Sequence, residues 1–327
     1  MKHTTRRAAL ALGLATAAAV PLPTFAQDRW PARPITLVVP FPAGGQTDVV
    51  ARAVAEPMSR ELGQPIVIEN KPGVNGSLAS DQVAKAAPDG YTLVATGPGT
   101  HGINQLVNPN VKYDARKDFT HIGLVAKTSN VLLASSAFKG QSVQDLVAFA
   151  KAKPREATFA ITGLGASGHM SMELLKQVAG VEVTAVPYKG DAPAVADMLG
   201  GQVQFLFVNS ASAVPQVKAG RLRALAVTGH TRLASLPDVP TLAEAGLPGV
   251  VAESYVGISG PPKMPADLVQ RLNRALNNAI QSPQVKERLA SLGMTPSPGT
   301  PQDNADYISG EVDKWAKVVK TGNIRVE

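Results

Sequence analysis

The chain has 327 residues, 44% of them apolar, 17% charged and none cysteine, with a formal charge of +7. That length suits one large domain or two ordinary ones, and the apolar share is enough for a real core. The lack of cysteine excludes a disulfide scaffold, a thiolate zinc site, a thiol nucleophile and a cysteine-linked lipid anchor; the low charge fraction excludes a disordered chain.

Residues 1–26 read as an export signal. Lys2, Arg6 and Arg7 open it without an acid, and Ala8 to Val20 is a small, apolar run too short to span a bilayer. Thr24-Phe25-Ala26 supplies small residues for cleavage after Ala26. Thr5-Arg6-Arg7-Ala8-Ala9-Leu10 loosely follows a twin-arginine pattern, so that route and the general secretory one both stay open. Removing the signal takes away three bases and no acid, which lowers the formal charge to +4. Residues 128–228 then hold 9 bases and 6 acids, and no Lys/Arg cluster is interleaved with aromatic residues, which excludes nucleic acid as a partner.

The remaining chain alternates strand-like and helix-like patterns. Ile35 to Val39 is a buried strand, Phe41-Pro42-Ala43-Gly44-Gly45 a turn, and Asp48 to Leu62 a helix closed by Gly63 and kinked or shortened by Pro57. Strands follow at 65–69, 91–96, 119–125, 130–135, 158–162, 181–188, 205–208 and 222–228. Helices are expected at 77–87, at 143–152 behind an N-cap at Ser142, and at 169–178, 193–199 and 212–219. After Thr228 come proline-punctuated segments, then helices at 265–281, 283–292 and 303–321. This order means an α/β protein with mainly parallel sheets.

Gly163-Leu164-Gly165-Ala166-Ser167-Gly168 matches G-x-G-x-x-G between a strand and a helix. The next strand ends at Tyr188-Lys189, where a ribose-binding acid would be needed, so no dinucleotide and no other cofactor is expected. What survives is the physical content: glycines before a helix expose backbone N–H groups at its positive end, which is an anion site. Ala43-Gly44-Gly45-Gln46-Thr47 is a second site of this kind, with Asp48 inside the first helical turn capping N–H groups. Catalytic constellations are lacking. His101, His121, His169 and His230 form no metal-ligand spacing, and Gly165-Ala166-Ser167-Gly168-His169 is not a nucleophile elbow; an exported Ser167/His169 hydrolase is the rival reading from another class.

The segment Pro34 to Asp48 with Ala51-Arg52, then Val67 to Gly73, Gly76, Pro88-Asp89-Gly90-Tyr91 and Gly168-His169, resembles the substrate-binding proteins of tripartite tricarboxylate transporters, the Bug family. The likeness continues through Val186 to Gly190, Gly200 to Val203, Ala219 to Val227 and Leu236 to Gly246, so it covers the whole mature chain in order. It implies a periplasmic binding protein fold of the two-lobed type II, with the ligand cleft between lobes. The lobes expected are 27–127 plus 229–327 and, inserted, 128–228, with crossings near Val125–Ser129 and Thr228–Thr231.

The resemblance also implies a small organic carboxylate as ligand, no catalysis, no metal, and a monomer. A membrane permease with a large and a small subunit is the implied partner; a ligand-presenting role toward a sensor protein is the alternative. By the same likeness the cleft takes Phe41, Pro42, Ala43, Gly44, Gly45 and Thr47 from one loop, and Gly163, Gly165, Ala166, Ser167, Gly168 and His169 from the other. Gly97, Gly99, Thr100 and His101 add a third loop, and Tyr188, Lys189, Asn209 and Tyr255 complete the set. Asn209 stands where many relatives carry Asp, which disfavours a ligand with an ammonium group.

Overall fold

A computed structural model describes residues 30–325; the expected export signal lies outside the described residues. Three parallel strands start the fold, β1 (Ile35–Val39), β2 (Ile66–Asn70) and β3 (Thr92–Thr96), in the order β2-β1-β3. The residues of β1 and β3 are almost all buried and need cover on both faces, whereas the edge strand β2 buries only Ile66. Helix α1 (Gln46–Leu62) supplies it on one side, packing Val50, Val54 and Met58 on the sheet, and ends at Gly63 in the left-handed region (φ 76°). The helix runs on through Pro57 to Leu62, so the proline does not shorten it. Helix α2 (Ser77–Ala84) covers the other side through Ala79 and Val83, and the short α3 (Asn104–Val107) follows β3.

The two strands expected at 119–125 and 130–135 are one, β4 (Thr120–Ala134). It joins the two halves of the molecule. Up to Ser129 it pairs antiparallel with β9 (Glu253–Gly260); from Asn130 to Ala134 it pairs antiparallel with β7 (Phe205–Asn209) and β8 (Arg223–Val227) instead. The second half repeats the parallel logic, with β5 (Thr158–Ile161) between β6 (Thr184–Pro187) and β7. Its sheet is flanked by α4 (Val143–Ala152), α5 (Ser167–Ala179), α6 (Asp191–Leu199) and α7 (Ser210–Lys218). Ser142 caps α4 as expected, within a capping box closed by Asp145. The parallel blocks are thus at the two ends and antiparallel pairs join them, which makes the sheet mixed.

Strand β9 was hidden in the sequence, because it follows a long proline-punctuated stretch, yet it pairs with both β3 and β4. The stretch 229–252 before it packs on the second half: Leu233 and Leu236 join Val131 and Leu206, and Leu242, Val250 and Ala252 join Phe205 and Phe207. The lobe boundaries implied by the family resemblance place this stretch in the first lobe instead. Helices α8 (Ala266–Gln281) and α9 (Pro283–Ser291) return to the first half and cover the α1 face. The last helix, α10 (Pro301–Gly322), touches both halves: Trp315 and Val318 lie in the cluster of Phe159 and Leu175, and Gln177 Nε2 donates to the Val318 carbonyl at 2.9 Å. Among the described residues no helix is long and apolar enough to cross a membrane.

Candidate ligand-binding cleft

A cavity of about 480 Å³ lies where the two halves face each other. The first half lines it with Phe41, Pro42, Gly45, Gln46, Thr47, Asn75, Gly97, Pro98, Gly99, Ser254 and Tyr255. The second lines it with Thr162, Ala166, Ser167, Gly168, Gly190, Asp191, Phe207, Val208 and Asn209, and Asn130 of β4 sits at the junction. None of these is Lys, Arg or His.

Two turns of the same geometry open onto it, one from each half. Before α1, Gly44 is left-handed (φ 82°) and the N-cap Gly45 is extended (φ −71°, ψ 164°). Before α5, Gly165 is left-handed (φ 72°) and the N-cap Ala166 is extended (φ −72°, ψ 163°). In each, the N-cap N–H reaches back three residues, Gly45 to the Pro42 carbonyl and Ala166 to the Gly163 carbonyl. The fourth residue of each cap-to-helix turn then secures the glycine. Asp48 Oδ2 accepts the Gly44 N–H at 2.8 Å, and His169 Nδ1 accepts the Gly165 N–H at 3.0 Å. Neither N-cap carries a side-chain cap, nor does Gly190, the N-cap of α6. Three helices therefore present first-turn N–H groups and positive dipole ends to one cavity, which suits anionic groups without any fixed cation.

Asp48 is buried and is held by more than Gly44. Arg52 Nε donates to both its oxygens, at 3.0 and 3.1 Å, and Asn70 Nδ2 donates to Oδ1 at 2.9 Å. Burial alone would raise its pKa; the hydrogen bonds from Arg52, Gly44 and Asn70 outweigh this and hold the carboxyl below its usual range. Burial lowers the pKa of His169, with nearby Glu173 opposing, so a neutral ring is available as acceptor. His169 Nδ1 takes the Gly165 N–H, and no hydrogen bond joins His169 to Ser167 among the described residues.

The expected cleft residues divide as follows. Phe41, Pro42, Gly45, Thr47, Gly97, Gly99, Ala166, Ser167, Gly168, Asn209 and Tyr255 line the cavity. Ala43, Gly44, Gly163, Gly165 and His169 shape the turns without lining it. Thr100 and His101 are fully buried. The chain coils tightly over Gly99–Ile103, which turns the Thr100 hydroxyl back to Gly97 and packs the His101 ring 4.3 Å from that of Phe119. Tyr188 and Lys189 also lie off the cavity; the Tyr188 hydroxyl donates to Asp197 at 2.9 Å, and Lys189 is exposed. The Tyr255 side chain packs among Tyr307, Ile308 and Val312.

Asn75, Asn130 and Asp191 were not anticipated. Asn75 stands in a left-handed stretch, Gly73 to Gly76, in which even Val74 has φ 47°. Such a conformation for a β-branched residue is costly and typical of functional loops. Asn75 Nδ2 donates to Asn104 Oδ1, and Asn104 Nδ2 donates to the Asn75 carbonyl, both at 2.9 Å. The run of Gly73, Asn75 and Gly76 was the available signal. A second cavity of about 350 Å³, near Lys127, Arg232 and Glu253, faces the C-terminal end of α9 and has no helix start on it.

The model of the "tripartite tricarboxylate transporter family receptor" matches residues 50–324. The chain belongs to this receptor family. It is 38% identical to Protein BugT of Bordetella pertussis (strain Tohama I) over 296 residues, which cover 90% of each chain. Among solved structures, R. palustris Rpa4515 with adipate is 40% identical with a TM-score of 0.80, over 90% of this chain and 99% of that one. MatC (Rpa3494) from Rhodopseudomonas palustris with bound malate is 35% identical with a TM-score of 0.78, over 88% and 99%. The periplasmic binding protein BugD is 32% identical with a TM-score of 0.78, over 91% and 100%. The family and the two-lobed fold are those of solute-binding receptors, as the sequence motifs implied.

Proposed function

We propose that this tricarboxylate transporter family receptor captures a small dicarboxylate between its two lobes. The single observation behind this reading is the pair of matched turns, one per lobe, on a cavity of about 480 Å³. A molecule with a carboxylate at each end engages both at once. One end meets N–H groups at the start of α1 with the Thr47 hydroxyl; the other meets those at Ser167 and Gly168 of α5. Binding to both favours the closed arrangement, because only that arrangement satisfies both ends of the ligand. The adipate and malate found in related receptors fit this reading.

The lobes are then 30–129 with 253–325, and 130–252, with β4 and the Ala252–Glu253 step as crossings. The Thr228 hydroxyl holds the two crossings together, accepting the Asn130 N–H at 2.9 Å and donating to the Ala252 carbonyl at 2.6 Å. The receptor works in the periplasm and hands its ligand to a permease with a large and a small membrane subunit, which supplies the driving force. A thermal-shift panel on the purified chain tests the ligand class. A dicarboxylate at 100 times its dissociation constant stabilises by about 2.7 kcal/mol, with matched monocarboxylates far weaker. Equal shifts with monocarboxylates, or none with any C4–C6 diacid, would refute the reading.

A further inference from the structure

The cavity wall of the second lobe holds hydrogen-bond acceptors that the protein leaves free. Asp191, the first residue of α6, accepts from Asn209 Nδ2 at 3.2 Å and from Ser212 Oγ at 2.9 Å, both on Oδ2. No hydrogen bond or ion pair among the described residues engages its Oδ1. Asn209 is in turn fixed, because its Oδ1 accepts the Ser212 N–H at 3.0 Å.

Asn130 shows the same property independently. It is 1% exposed, and its Nδ2 donates to Ser171 Oγ at 3.1 Å. The Ser171 hydroxyl proton is committed to the Ser167 carbonyl at 2.7 Å, so Ser171 can only accept from Asn130. This sets the amide orientation and leaves Asn130 Oδ1 buried without a donor. Asn130 and Asn209 are direct partners in the β4–β7 register, so both acceptors belong to one patch of wall.

A buried acceptor without a donor is costly, and a carboxylate in a cavity without a fixed cation repels a plain dianion. We infer that the ligand is a dicarboxylate bearing a hydrogen-bond donor, an ammonium or hydroxyl group, on the chain between its carboxylates, and that Asp191 and Asn130 select for it. This rests on the reading of the two turns as carboxylate sites. It reverses the expectation attached to Asn209: the acid of this wall comes from the start of α6, held in place by Asn209 itself. An ammonium group would pair with Asp191; a hydroxyl would donate to it.

Calorimetry on residues 27–327 with succinate, malate and aspartate tests the inference, since these share a four-carbon skeleton and differ only at C2. Malate or aspartate is expected to bind at least about tenfold tighter than succinate, and their order tells which donor the site takes. In Asp191→Asn the amide oxygen keeps Asn209 and Ser212, and a nitrogen replaces the free oxygen. The advantage over succinate should then fall below about threefold while succinate itself binds more tightly. Asp191→Ala should also lose the advantage. Succinate within about threefold of both competitors in the unsubstituted protein would overturn the inference, as would an advantage that survives both substitutions. If neither variant folds, the three-ligand comparison decides alone. Tight succinate binding without discrimination sinks only this inference; failure of every diacid to bind sinks the dicarboxylate reading too.

Discussion

Asp48 and His169 are structural counterparts: each stands three residues past its N-cap and accepts the N–H of the glycine just before that cap, at 2.8 and 3.0 Å. A carboxylate and a neutral imidazole thus perform one task in two lobes. Because both turn the loop without entering the cavity, their loss should act through loop geometry. Asp48→Ala and His169→Ala are each expected to weaken dicarboxylate binding by about tenfold or more and to cost roughly 1–3 kcal/mol of stability. Calorimetry with paired urea denaturation checks both effects, and intact binding in either variant would argue against the role.

The two turns differ at the N-cap and two residues beyond it, and the two glycines there predict opposite tolerance. Gly45 corresponds to Ala166, and a Cβ at 45 would meet nothing closer than the Pro42 carbonyl at 3.4 Å. Gly168 corresponds to Thr47, but a Cβ at 168 would stand 2.4 Å from the backbone oxygen of Phe207. Gly45→Ala should leave stability within about 1 kcal/mol, while Gly168→Ala should shift α5 off β7, cost more than about 2 kcal/mol and abolish binding. Thermal melts of the two variants side by side provide the comparison.

Acid should destabilise the first lobe through buried histidines. His121 has its pKa pushed down to about 4, mainly by burial, against a smaller opposing contribution from the Ala115 backbone. His101, fully buried with its ring centroid 6.2 Å from that of His121, is shifted down as well, first by burial and then by His121. Between about pH 6.5 and 4 the unfolded chain takes up a proton at 121 that the folded chain refuses. Stability is therefore intact above pH 6.5 and falls as pH drops toward 4, by roughly 2 kcal/mol at pH 5 from His121. Urea denaturation at pH 7.5 and 5.0 measures the drop, and His121→Gln should reduce it by the share of His121 while that of His101 remains.

Helix α10 ties the halves together through Trp315, which is fully buried and donates from Nε1 to Glu311 Oε2 at 2.9 Å. Trp315→Ala is expected to cost about 3–5 kcal/mol, since a large cavity would open between α10 and the turn at Gly102. Denaturant unfolding followed by circular dichroism reads this directly. A loss below about 1 kcal/mol would mean that α10 is dispensable to the fold.

The alternation of apolar strands and amphipathic helices was legible because it depends on local spacing; α1, α4, α5 and the α8–α10 series fall close to their expected positions. The glycine turns were legible too, because a left-handed residue before an extended N-cap has a sequence signature at Gly44 and Gly165. Strand β9 was not, since its place between β3 and β4 depends on pairing across more than a hundred residues. The same holds for Thr100 and His101, which belong to a cleft-loop motif but are buried by local coiling and by Phe119.

The family, the two-lobed α/β fold and the chemistry of the two glycine-rich helix starts are all written in runs of contiguous residues. The tertiary structure alone decided which side chains complete the cavity. Asn130, Asp191 and Asn209 come from β4, α6 and β7, lie far apart in the chain, and carry no shared motif. Their meeting follows from β4 changing partners at Ser129–Asn130 and from the hydrogen bonds of Asn209, and periodicity along the chain contains neither.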